Sequence, residues 1–130
     1  MATITAQKLT LTHNHTQKTA KAVVTCQVNF TAYERSEMSK GLRFKLTCKL
    51  WGEDSGLTGA DDFLFSYPTA FFFPDATPTS PENRTFDIVL GEGVLDEDWG
   101  VDEVYGRLRL TNLYTLVAIT KRTNVVSHSF

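Results

Sequence analysis

A chain of 130 residues, 42% hydrophobic and 22% charged, has the apolar content for one packed core and too little length for two ordinary ones, so a single ordered domain is expected. A formal net charge of -2 gives the whole molecule no electrostatic pull toward nucleic acid, and no run of about 18 apolar residues could cross a membrane as a helix. The opening residues do not read as a secretory leader and two cysteines do not make a disulfide scaffold, so a soluble, cytoplasmic protein is expected.

The dominant pattern is alternation with a period of two, which marks strands with one buried and one wet face. Residues 4–12 form the first such segment, followed by turn residues at 13–18. In the second, Val24, Cys26, Val28, Phe30 and Ala32 share one parity, while Val23, Thr25, Gln27, Asn29 and Thr31 share the other. A turn of helix over 36–40, ended by Gly41, is expected only as a connector. The third segment repeats the pattern, with Leu42, Phe44, Leu46, Cys48 and Leu50 inward and Arg43, Lys45, Thr47, Lys49 and Trp51 outward. Further strands are predicted at 63–67, 70–73, 84–90, 104–110, 114–121 and 125–130, separated by a proline-rich loop and an acidic one. In the strand over 104–110, Glu103 and Tyr105 stand as in a tyrosine corner, but a face shared with Tyr105 would bury Arg107 and Arg109. Gly106, Leu108 and Leu110 are therefore placed inward, after a bulge at Gly106. With no helical period anywhere, the expected fold is all-β: one antiparallel two-sheet β-sandwich over residues 1–130, immunoglobulin-like, with about 8 strands.

Cys26 and Cys48 fall on the inward parity of consecutive strands. A hairpin pairing Ala32 with Leu42 would set them opposite each other, and facing positions across a sandwich would also bring them near. Both read as reduced core residues, since a free cysteine packs as a small hydrophobe. His13 and His15, two apart, would offer both imidazoles to one metal if the segment is extended. No third ligand is evident, and a solvated hairpin loop is the expectation. His128 has no identifiable Ser, Cys or Asp partner in sequence, so a catalytic triad could be named only by choosing residues freely, and none is expected.

Acidic residues concentrate in two connections: Glu53, Asp54, Asp61 and Asp62 flank one, and Asp96, Glu97, Asp98, Asp102 and Glu103 the other. Hard oxygen ligands at one end of a sandwich would suit calcium. The string Trp51-Gly52-Glu53-Asp54, with Asp61-Asp62-Phe63, resembles the aspartate loop of C2 domains, which are β-sandwiches that bind calcium and lipid. Gly52 stands where that motif has its first aspartate, and Phe65 where it has a glycine. The resemblance implies calcium-dependent ligand or lipid binding, with Glu53, Asp54, Asp61 and Asp62 as the metal ligands. Solvated loop ends are the simpler account.

Opposite in sign is the outward parity of two strands, with Arg43, Lys45 and Lys49 on one and Arg107 and Arg109 on the other. If these strands are neighbours, one sheet carries a basic face with Trp51 at its edge, suited to an anionic polymer or to the acidic loops of a second copy. Aromatic runs at 63–65 and 71–73 must each send a ring away from the core, where the proline-rich loop, a second subunit or a sugar would cover it. The expected function is a non-catalytic interaction or assembly module without a cofactor. It would self-associate or bind a protein partner through Arg43, Lys45, Lys49, Trp51, Phe72, Arg107 and Arg109, with calcium binding as the alternative.

Overall fold

Alternation along the chain resolves into two antiparallel sheets packed face to face, an all-β sandwich. The computed structural model describes residues 1–53, 61–73, 77–95 and 102–128. In chain order the elements are β1 (Thr3–Asn14), β2 (Thr19–Asn29), α1 (Ala32–Ser39), β3 (Phe44–Gly52), β4 (Asp62–Ser66), β5 (Ala70–Phe72), β6 (Glu82–Gly91), α2 (Glu92–Leu95), β7 (Asp102–Asn112), β8 (Ala118–Arg122) and β9 (Val126–His128). One sheet has the order β1-β2-β6. The other runs β4-β3-β7-β8, with β5 also on β3 and β9 also on β7.

The core forms where the inward parities meet. Ala20, Ala22, Val24, Cys26 and Val28 of β2 face Phe44, Leu46, Cys48 and Leu50 of β3 and Val104, Leu108 and Leu110 of β7, all of them buried. Central strands covered on their inner face can alternate this strictly because a one-residue slip would turn every apolar side chain to water.

Between β2 and β3 the chain changes sheets. It does so through α1, which starts earlier than the sequence suggested because Thr31 and Glu34 cap it reciprocally. Glu34 N–H donates to Thr31 Oγ1 at 3.1 Å, and Thr31 N–H donates to Glu34 Oε1 at 2.9 Å. Ala32 is thus the first residue of a helix, so the hairpin expected to pair it with Leu42 does not exist. Gly41 follows the helix at a φ of 122°, where a Cβ would approach Tyr114 Oη to 3.0 Å. Cys26 and Cys48 consequently sit in opposite sheets as free, buried thiols. Burial pushes the Cys26 thiol up to about 11 and the Cys48 thiol up to about 12.

Three local expectations are corrected. No bulge occurs at Gly106, since β3 and β7 stay in register from Phe44↔Asn112 to Gly52↔Val104. The irregularity lies on the other side of β7, where the partner changes from β8 to β9. Thr123 bridges that gap, accepting from Gly106 N–H through its hydroxyl at 2.8 Å and donating its own N–H to Gly106 O at 2.8 Å. Residues 114–117 form a turn region and not the start of a strand, and β8 begins at Ala118. Phe72 belongs to the core at 4% exposure, because β5 places it opposite the inward Phe44 and its ring lies 5.2 Å from that of Phe30. Its neighbours Phe71 and Phe73 are the rings turned outward, stacked 5.7 Å apart.

Candidate functional site: a basic, aromatic sheet face

The strands carrying the outward cations are direct neighbours. Pairing of β3 with β7 and of β7 with β8 places Lys49, Arg107 and Arg122 in one row across three strands. Thr47, Arg109 and Thr120 form the adjacent row, and Lys45, Thr111 and Ala118 the next. On the other side of the charged row, Trp51 faces Tyr105 and also Phe63 of β4. Thr47, Lys49, Trp51, Arg107, Arg109 and Thr120 line a surface cavity of about 280 Å³.

Aromatic rings hold the guanidinium groups. Arg107 Cζ lies 4.6 Å from the centroid of the Trp51 ring, and Arg107 Nη2 donates to Tyr105 Oη at 3.2 Å. Arg122 Cζ lies 3.8 Å from the Tyr105 centroid, a cation over a π face. Tyr105 is fully buried although it points away from the core between the sheets, because these side chains roof it over. Its hydroxyl donates to Asp61 Oδ2 at 2.5 Å. Burial first, and then the bond to the Asp61 carboxylate, raise the phenol above its ordinary range. Trp51 Nε1 is buried and carries no hydrogen bond among the described residues.

Of the residues picked from the sequence, Lys49, Trp51, Arg107 and Arg109 come together around this cavity. Lys45 is further along the same face, opposite Thr111 and Phe71. Arg43 precedes β3 and lies 5.8 Å from the Phe73 ring, and Phe72 is in the core. Arg122 and Tyr105 were missed. Arg122 shares its parity with Thr120, but the intervening Lys121 hides the alternation of this edge strand. Tyr105 is buried on the polar parity only because cations cover it.

The acidic residues border this face. Glu53 Oε1 lies 3.4 Å from Arg122 Nη2, and Asp61 is engaged by Tyr105. Asp62 opens β4 opposite Gly52 and is exposed. Glu53 N–H donates to Glu103 O at 2.7 Å, so the first acidic connection begins beside the end of the second. Asp54, Asp96, Glu97 and Asp98 lie outside the described residues. Among the described residues, no three His, Cys, Asp or Glu side chains are grouped so as to hold a metal, and no helix is long and apolar enough to cross a membrane.

A larger cavity of about 560 Å³ has Met1, Tyr33, Phe44, Leu110, Val117 and Ile119 in its lining. Its one carboxylate, Glu34, already accepts from Thr31 N–H and from Ala2 N–H, the latter at 2.9 Å. A polar ligand would find little there to orient it.

No family model matches the chain, and no curated protein sequence matches it. Among solved structures it is similar to a crystal structure of an ApaA protein from Bordetella pertussis, at 7% identity and a TM-score of 0.36 over 98% of this chain and 89% of that one. At that level the likeness carries no argument about fold or function.

Proposed function

We propose that the chain is a non-catalytic assembly module whose basic sheet face docks the acidic end of a second copy. The observation that carries this reading is the row Lys49, Arg107 and Arg122, three cations set directly across from one another on adjacent strands. Like charges opposite one another destabilise a sheet by roughly 0.2–1 kcal/mol per pair, so such a row costs stability in the isolated chain and is relieved by an anionic surface. Trp51 and Tyr105 hold two of the three guanidinium groups on the face in place before a partner arrives, which lowers the ordering cost of binding.

Acidic residues for such a contact are present in the same molecule: Asp62 is exposed and Glu103 half-buried, and the sequence carries three more at 96–98. Contact between unlike patches is head to tail, and closes into a ring or extends as a filament. The order β1-β2-β6 against β4-β3-β7-β8 supports an immunoglobulin-like sandwich as part of the same reading. Two free thiols fit a reducing, cytoplasmic setting.

Light scattering on the purified chain tests the proposal. In low salt the mass exceeds the 14.6 kDa of one chain and falls toward it in half-molar salt, and Arg109→Glu brings it down at low salt. A single-chain mass at high protein concentration and low salt overturns it.

A further inference from the structure

The geometry points to a transition-metal site, of the kind zinc occupies, formed where His13 and His128 meet between the two sheets with the exposed His15 beside them. β1 runs on to Asn14, so His13 is a strand residue instead of the loop residue expected, and its side chain is only 3% exposed. His128, at the end of β9 in the opposite sheet, reaches it across 115 positions of sequence, with Nε2 2.9 Å from His13 Nδ1. On its far side His13 Nε2 lies 2.8 Å from Glu92 Oε2, and the Glu92 N–H is anchored on Lys18 O at 2.9 Å. His15 lies against His13 with ring centroids 4.0 Å apart, and is exposed.

Two features suit a shared metal as well as the hydrogen bond between the rings. A carboxylate on the distal nitrogen is the arrangement that orients metal-bound imidazoles. With Glu92 accepting from Nε2–H, the Nδ1 lone pair of His13 is directed toward His128. The ring placement also fits. Imidazoles sharing a tetrahedral metal at about 2.0–2.1 Å have centroids roughly 5.2 Å apart and nitrogens roughly 3.3 Å apart. Here the centroids are 5.0 Å apart with the planes at 89°, so the nitrogens need to open by only a few tenths of an ångström from 2.9 Å.

His15 is stacked on His13 and not aimed at the shared point, consistent with the absence of a ready three-ligand group among the described residues. Its exposure lets the ring turn in as a third donor, with solvent completing the shell. Neutral imidazoles select zinc, copper(II) or nickel and not calcium or magnesium. Once bound, the ion would tie β1 of one sheet to β9 of the other.

Titration of the full chain with zinc chloride, followed by calorimetry, and with cobalt(II), followed by the visible absorption of a tetrahedral centre, tests the site. One ion per chain is expected, with affinity falling at least tenfold in His13→Gln and in His128→Gln. Glu92→Gln leaves every ligand in place and lowers affinity by roughly 10- to 100-fold. No heat and no cobalt band with the folded chain at millimolar metal overturns the inference, as does undiminished zinc binding in folded His128→Gln. Should the histidine variants not fold by circular dichroism, the cobalt spectrum of the unaltered chain and the Glu92→Gln titration decide it.

Discussion

Reversing one charge in the cationic row should make the protein more stable while weakening the proposed assembly. Lys49 faces Arg107 on β7 and the neutral Ser66 on β4, so Lys49→Glu replaces one repulsion by one attraction and creates no new clash of sign on its other side. Each of those two changes is worth roughly 0.2–1 kcal/mol for a cross-strand pair. Lys49 is exposed, and screening by solvent holds the sum near about 1 kcal/mol. With an unfolding entropy of about 2.1 cal/mol/K per residue, that is a rise of about 4 °C in Tm for a chain this long. Lys49→Met only removes the repulsion and should give about half as much. Urea melts at about 0.02 M and 1 M sodium chloride read both variants, because the Debye length shrinks to about 3 Å at the higher salt and the gain should shrink with it. In light scattering at low salt, Lys49→Glu should lose mass relative to the unaltered chain. A variant that is less stable at low salt, or whose gain is the same at both salts, refutes the reasoning.

Phe72→Ala should cost about 3–5 kcal/mol by urea denaturation, whereas Phe71→Ser should stay within about 0.5 kcal/mol, since only the former leaves a hole beside Phe30 and Phe44. The thiols set an alkaline limit. Their folded values, about 11 for Cys26 and about 12 for Cys48, lie above the ordinary 9.0. The stability tied to keeping them neutral is therefore complete below pH 9 and is lost as pH climbs through 11 to 12. Urea midpoints should fall across that range and fall less in Cys48→Ala measured against its own value at pH 8. Gly106→Ala should lose about 1–3 kcal/mol, because its Cβ would meet Thr123 Cγ2 at 3.1 Å and Val24 Cγ2 at 3.2 Å. Millimolar calcium should leave Tm unchanged, as Glu53 and Asp61 are engaged by Arg122 and Tyr105; a rise of several degrees would favour the calcium alternative.

The strands β2 and β3 were legible because each has a buried face and a wet one, so parity alone separates Val24 from Thr25 and Leu46 from Lys45. Neighbourhood of β3 and β7 was legible only as a condition, since alternation fixes which side a residue takes and says nothing about which strand lies beside it. Phe72 defeated parity because Phe71 and Phe73 are equally apolar, and only the pairing with β3 decides which ring turns in. The beginning of α1 was written in Thr31 and Glu34, three apart, but the alternation of β2 carries on to Ala32 and masks the cap. His128 could not be matched to His13, because proximity across 115 positions is a property of the sandwich and of no local pattern.

Near the start of β1 the ladder with β2 jumps from Thr5↔Gln27 to Lys8↔Thr25, and Ala6 stands there with a φ of 52°. That strand is the rim of its sheet, the place where a foreign ribbon would otherwise add itself by main-chain bonding. An incoming strand in phase with Leu9 to Asn14 would be out of phase beyond Ala6, so growth by edge addition stalls within a few residues. Main-chain pairing along this rim is thereby confined to the short stretch from Leu9 to Asn14.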